Sequence, residues 1–248
     1  MKKIVSLVVA ALVMCSCADS FLSEEPVGEF MPEQVESEEN IEGIVIGAYA
    51  VLDGYYASDA INSGCSNWQF GDVVSDDAYK GGGGTGDQNQ IHLMEIFNAN
   101  PTGIDFEARW AALYEGVKRC NQAIRLLSNS TVKNKEQRLA EMRFLRGHYY
   151  FNLKVIYNLI PWIDETVVDP NEYHTKSNME FTSDQLWEKI LGEFSAAYQV
   201  LPESQSDYGR PTKMAAKAYM AKVYLYQSKW KECLSACDEV IQSGKYTL

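Results

Sequence analysis

The sequence predicts a mainly α protein built from antiparallel helical hairpins and interrupted by one long irregular insertion. Three observations predict it. Apolar residues recur at helical spacing through most of the chain after residue 38. Proline, asparagine and serine separate these stripes at short intervals, which favours hairpins. One segment, from about Ala57 to Gly103, loses the helical period and fills instead with glycine, carboxylates and aromatic rings.

The first residues stand apart from that fold. Lys2 and Lys3 precede an apolar run from Ile4 to Met14, broken only by Ser6. Eleven helical residues rise only ~16 Å, too little to cross ~30 Å of hydrocarbon. A charged start, a short apolar middle and small residues after it describe an export signal. Val13-Met14-Cys15-Ser16-Cys17 has the form of a lipobox, with small Ser16 before the acceptor Cys17. Cys15 is the rival acceptor, but Met14 before it is too large for the usual cleavage pocket. The expected organisation is therefore a signal peptide over 1–16, a lipidated acidic tether over 17–37 and a helical domain over 38–248.

Within the domain, Ile41, Ile44, Val45, Ala48, Leu52 and Tyr55 mark a first amphipathic helix, which Gly54 and the polar stretch after it bring to an end. Glycine, aspartate and asparagine dominate the insertion, and Gly81 to Gly84 form an unbroken run. Trp68, Phe70, Tyr79 and Phe97 give it more rings than a disordered linker carries, and long irregular segments in folded domains tend to be functional. Phe106, Trp110, Leu113, Val117, Ile124 and Leu127 then share one helix face. A turn at Asn129 leads to a second helix from about Lys135 to Ile160, with Leu139, Met142, Leu145, Tyr149, Leu153 and Ile156 inward and Pro161 as the stop. After a loop from Trp162 to Phe181, Thr182 and Gln185 fit a capping box that opens a helix bearing Leu186, Ile190, Phe194 and Leu201. Pro211-Thr212 opens another through Tyr226, and a turn at Ser228 to Trp230 leads to a last helix ending near Ser243. Tyr219, Tyr226, Trp230, Cys233, Leu234, Cys237 and Ile241 approximate the alternation of large and small residues in a tetratricopeptide pair. The fold class is accordingly tetratricopeptide-like antiparallel helical hairpins.

Charge and composition exclude several functions. The 248 residues carry a net charge of −12, and loss of 1–16 removes two lysines and no acid, leaving −14. Such a surface repels phosphate backbones and anionic headgroups. Nucleic acid is not an expected partner, and membrane attachment falls to the lipid. Cys233 and Cys237, one helical turn apart, cannot reach ordinary disulfide geometry and lack the spacing of a metal site; packing as small hydrophobes is the expected role. His92, His148 and His174 are scattered. Asp76 and Asp77 are neighbours, whereas glycoside hydrolysis needs two carboxylates facing one bond about 5 to 9.5 Å apart. Gly81 to Gly86 matches a dinucleotide glycine pattern but lacks the strand and helix that motif requires; a flexible flap is the simpler reading. Neither catalysis nor a cofactor is expected.

Several stretches, in order, carry a resemblance. They are Cys17-Ala-Asp-Ser-Phe-Leu-Ser-Glu-Glu-Pro26, Gly71-Asp-Val-Val-Ser-Asp-Asp-Ala-Tyr-Lys-Gly81, Trp110-Ala-Ala-Leu-Tyr-Glu-Gly-Val-Lys-Arg-Cys-Asn121 and Arg143-Phe-Leu-Arg-Gly-His-Tyr-Tyr-Phe151, followed by Gly209-Arg-Pro-Thr212, Ala215-Ala216 and Ser243-Gly-Lys-Tyr246. Together they resemble the SusD/RagB family of outer-membrane nutrient-binding lipoproteins. The resemblance covers the family's N-terminal half, with the C-terminal half absent, and an extra Ser20 interrupts the usual opening. It implies capture of a glycan on the cell surface beside a SusC-like TonB-dependent transporter of the outer membrane, which imports the oligosaccharide.

Sugar binding needs flat ring faces for C–H-rich surfaces, and carboxylates or amides for hydroxyls. The insertion supplies both, in Trp68, Gln69, Asp72, Asp76, Asp77, Tyr79, Lys80, Asp87 and Gln88, which are the candidate glycan contacts. Trp110 and Trp187 fall on core stripes and are expected to be structural, as is His148. The rival reading is a helical-repeat lipoprotein scaffold in envelope assembly, whose ligand is another protein; the ring-bearing insertion favours the first.

Overall fold

Apolar residues at helical spacing need a partner surface, and here each helix finds it on the next. The computed structural model describes residues 38–54, 68–75 and 77–246, all within the unit Val35–Leu248. Its helices are α1 (Glu38–Tyr49), α2 (Asn89–Glu95), α3 (Ile104–Asn129), α4 (Lys135–Tyr157), the single turn α5 (Pro170–Tyr173), α6 (Ser183–Val200), α7 (Lys213–Tyr226) and α8 (Trp230–Gln242). No strand occurs among the described residues. α1 packs on α3, α3 on α4, α4 on α6, α6 on α7 and α7 on α8. The order is that of consecutive hairpins, as the tetratricopeptide-like pattern predicts.

Local chemistry sets the boundaries. Thr182 and Gln185 form the full capping box of α6, and the Thr212 hydroxyl caps α7 by accepting from the Ala215 N–H. α4 stops three residues earlier than expected: Asn158, at φ 62, turns the chain out of the helix before Pro161 is reached. At the end of α1 the chain tightens into a 3₁₀ turn over Ala50–Asp53, which buries Val51 in place of the expected Leu52. Gly54, at φ 106, then ends it, and Tyr55 lies outside the described residues.

Two glycines bring the central helices close. A Cβ on Gly116 of α3 would lie 2.6 Å from the ring of Tyr149 on α4, and one on Gly147 of α4 would lie 2.9 Å from Phe194 on α6. Around these crossings Phe144 meets Phe194 and Tyr219 edge to face, with Phe151 and Trp187 beside them. Trp187 is core, as expected. His148 is held here too, its Nδ1 2.8 Å from the Tyr219 hydroxyl. Burial, reinforced by the charges of Arg109 and Lys222, pushes its pKa down to about 4.

Polar clusters fasten the loops to this stack. Buried Arg146 of α4 donates two hydrogen bonds to Glu193 of α6 and one, of 2.7 Å, to Asn121 of α3, and pairs with Glu165 of the following loop. Burial opposes the Arg146 charge, but the two carboxylates outweigh it and hold its pKa above the ordinary arginine value. Arg138 and Arg210 converge on Glu141 at 2.8 Å each and also pair with Glu42, joining α4, α1 and the loop before α7.

The outer face of α8 differs. Trp230 and Ile241 are 63% and 71% exposed, Leu234 and Tyr226 are exposed with them, and only Ala236 of α8 is buried. Cys233 and Cys237 are free and half-buried, so they pack less completely than expected; among the described cysteines, Cys120 is the one the core encloses.

Candidate functional site

From Trp68 onward, the described part of the insertion has more regular local structure than its composition suggests. Trp68–Asp72 forms one wide helical turn, closed by the Val73 N–H on the Trp68 carbonyl at 2.9 Å. It seats itself by Phe70, whose ring meets Phe106 of α3 edge-on at 5.5 Å and lies under the Arg109 guanidinium. Gln69 on this turn is buried and Trp68 half-buried. Ser75 then bridges the Asp72 carbonyl and the Asp77 carboxylate, each at 3.2 Å.

The glycine run forms a hydrogen-bonded turn. Gly81, Gly82 and Gly84 all have positive φ, which glycine adopts without strain. The Lys80 ammonium donates to the carbonyls of Gly81 and Gly84 at 3.1 Å, while the Gly83 N–H donates to the Asp87 carboxylate at 2.9 Å. A side chain at Gly82 would strike that carboxylate, only 2.2 Å from its ideal Cβ. The Lys80 backbone N–H also reaches Glu95 at 3.2 Å, which ties the turn to the end of α2. Gln88, at φ 48, bends the chain into α2.

The fixed backbone holds rings in solvent. Tyr79 is 76% exposed and Phe97, just beyond α2, is 78% exposed. Phe97 sits at φ 55, where a residue with a Cβ pays about 1–2 kcal/mol, and the Met94 carbonyl accepts its N–H. A strained, exposed ring is an outlier that points toward function. Beside it opens a cleft of about 350 Å³, lined by Phe70, Met94, Phe97, Phe106, Val155 and Ile156.

The nine candidate contacts therefore divide. Tyr79, Asp72, Asp77, Asp87 and Gln88 face solvent, and Trp68 is half-buried. Lys80 and Asp87 are brought together around the glycines, and Gln69 is enclosed. Asp76 lies outside the described residues, as does Cys17. Sequence reasoning set Phe97 aside as one more ring of the insertion; α2 and the left-handed turn after it raise it to the surface. It also assigned Trp110 to the core, yet Trp110 is only half-buried and lines an open cleft of about 380 Å³ along α3. Among the described residues no group of three or more His, Cys, Asp or Glu could hold a metal ion, and no helix is long and apolar enough to cross a membrane.

Fold and site define a class: a stack of helical hairpins that carries an ordered, ring-bearing insertion. The family model described as SusD-like, starch-binding associating with outer membrane, matches residues 20–225, and the chain belongs to that family. It is 24% identical over 250 residues to SusD-like protein P2 of Formosa agariphila, covering 96% of this chain and 46% of that protein. To a SusD-like protein of Bacteroides ovatus it is 25% identical over 242 residues, covering 92% of this chain and 40% of that one. Its structure resembles surface glycan-binding protein A from Bacteroides thetaiotaomicron in complex with laminarihexaose, with a TM-score of 0.69 and 29% identity over 85% of this chain and 44% of the other. The homologous protein from Bacteroides fluxus gives a TM-score of 0.71 and 28% identity over 86% and 46%. The chain thus spans less than half the length of these relatives.

Proposed function

We propose that this chain is a surface glycan-binding lipoprotein that captures an oligosaccharide for a TonB-dependent outer-membrane transporter and performs no catalysis itself. In this reading residues 1–16 direct export, Cys17 carries the acyl anchor, 17–37 form the tether, and 38–248 form the binding domain. The observation that carries it is the pair of solvent-facing rings, Tyr79 and Phe97, held out on hydrogen-bonded backbone beside an apolar cleft. Ring faces flanked by carboxylates and amides suit the alternating C–H and O–H surfaces of sugars. Tyr79, Asp72, Asp77 and Gln88 would then touch the glycan. Trp68, Gln69, Lys80 and Asp87 frame the platform. The relative bound to laminarihexaose and the family description support carbohydrate as the ligand class.

The test is calorimetry of the full chain against a panel of oligosaccharides, laminarihexaose included. Tyr79→Ala and Phe97→Ala are expected to weaken binding about tenfold, or about 1.4 kcal/mol. No heat with any member of the panel would overturn the assignment. For the transporter, the exposed row of Trp230, Leu234 and Ile241 on α8 is apolar surface of the kind protein partners cover. Capture of a TonB-dependent transporter by the intact lipoprotein, lost in Leu234→Asp, is the expected result; capture of envelope-assembly proteins instead would favour a scaffold.

A further inference from the structure

The cleft along α3 has no part in the site above, and its walls have a specific character. Trp110 and Tyr114 come from α3, Tyr173 from α5, and Pro161 and Ile163 from the loop after α4. The two rings of α3 are locked. Trp110 lies 4.7 Å from Tyr114 and meets Tyr157 edge-on at 4.9 Å. The Tyr114 hydroxyl donates to the Pro161 carbonyl at 2.7 Å, and the Tyr157 hydroxyl donates to the Phe106 carbonyl at 2.6 Å. Asn121 closes the far end; its amide donates to the Ile163 carbonyl at 2.9 Å and its oxygen accepts from Arg146. The cleft is therefore preformed and needs little reorganisation to receive a ligand. Glu115 and Lys118 stand at its rim.

Helical register links it to the insertion. Phe106, Trp110, Tyr114, Lys118 and Asn121 follow one another at three- or four-residue steps, so they share one face of α3. Phe106 also lines the cleft beside Phe97. From Phe106 to Asn121 that face runs about 22 Å. An acyl chain would want an enclosed aliphatic tunnel, and an anion would meet a chain of net charge −12. Rings with a carboxylate and an ammonium beside them fit an uncharged sugar ring.

We propose that the Trp110–Tyr114–Tyr173 cleft is a second carbohydrate subsite, which takes a distal ring of the same uncharged oligosaccharide that the insertion holds at its other end. The inference rests on the glycan-binding reading and adds a consequence. A chain long enough to reach both places gains affinity because its second contact is intramolecular.

The experiment measures affinity of the full chain for uncharged oligosaccharides of increasing length, with laminarihexaose as the first long probe and an array of others beside it. Wild type is expected to bind long chains at least tenfold more tightly than short ones. Trp110→Ala and Tyr173→Ala should remove that gain and leave short-chain binding unchanged, whereas Tyr79→Ala weakens both. Because Trp110 also packs on Tyr157, Tyr173→Ala and Trp110→Phe, with thermal midpoints measured alongside, separate lost contact from lost fold. Long-chain affinity untouched in Trp110→Ala and Tyr173→Ala, with Tyr79→Ala still impaired, overturns the subsite and spares the glycan reading. Equal weakening at every length also overturns it, because the cleft would then be part of one site. No binding by wild type to any oligosaccharide overturns both.

Discussion

The α3–α4–α6 stack and the 68–103 insertion both carry aromatic residues yet use them in opposite ways. In the stack, rings are buried edge to face, hydroxyls are spent on backbone carbonyls, and the one buried guanidinium of α4 has three partners. In the insertion, hydrogen bonds fasten the backbone while Tyr79 and Phe97 stay in water. Burial therefore supplies rigidity in the first region, and backbone chemistry supplies it in the second. A surface meant to meet a ligand can be held firm without hiding the rings that do the meeting.

That contrast can be broken most forcefully in the stack. Arg146→Ala leaves Glu193 buried without its bidentate partner, and is expected to cost about 3–5 kcal/mol, or roughly 10 °C in thermal midpoint. A loss near zero would mean that the cluster is solvated and the stack is held by rings alone. Gly116→Ala should cost about 1–3 kcal/mol, since the added methyl meets Tyr149, which is fully buried and hydrogen-bonded to the Ala48 carbonyl. Denaturant melts of the two variants would rank these terms.

Acid gives a third, smaller effect. His148 has its folded pKa lowered to about 4 from an ordinary 6.5, so the fold favours the neutral ring. Its contribution is complete above the unfolded pKa and is lost as pH falls from about 6.5 toward 4. Thermal midpoints should drop across that window, and His148→Gln should flatten the part of the drop due to this ring. Carboxylates titrate in the same range, and the difference between the two profiles isolates the histidine.

The insertion should respond in the reverse sense. Tyr79→Ala is expected to move stability by less than about 0.5 kcal/mol while binding falls. Phe97→Asn places a residue that tolerates left-handed backbone at φ 55 and should stabilise by roughly 0.5 kcal/mol at the expense of glycan affinity. Large destabilisation by Tyr79→Ala would show that its ring supports the fold.

Much of the stack was legible beforehand because the signals are local. The 3.6-residue stripes of α3, α4 and α6, the Thr182–Gln185 box and the Thr212 cap each depend on residues within a few positions of one another. What escaped depends on tertiary context. α2 is seven residues long, too short for a stripe to stand out among asparagines and glycines. Asn158 ends α4 because the chain must turn there toward Ile160 and Trp162, which bury, and nothing before Pro161 announces it. Trp110 sits on the correct stripe for the core, but the loop at Pro161 and the turn at Tyr173 leave one side of it open, and only packing reveals that. Composition alone marks the nine candidate contacts, and it separates neither Tyr79 from the enclosed Gln69 nor the framing Lys80 from the residues that face out.

The most direct test of the central claim, that buried hairpins hold out a ring-bearing insertion as a carbohydrate receptor, is amide hydrogen exchange with and without the tightest-binding oligosaccharide. The account predicts added protection around Tyr79 and from Asn89 through Phe97, extending along the open face of α3, with the buried α4 core unchanged. Protection confined to α7 and α8, or a uniform shift across the stack with none in the insertion, would contradict it.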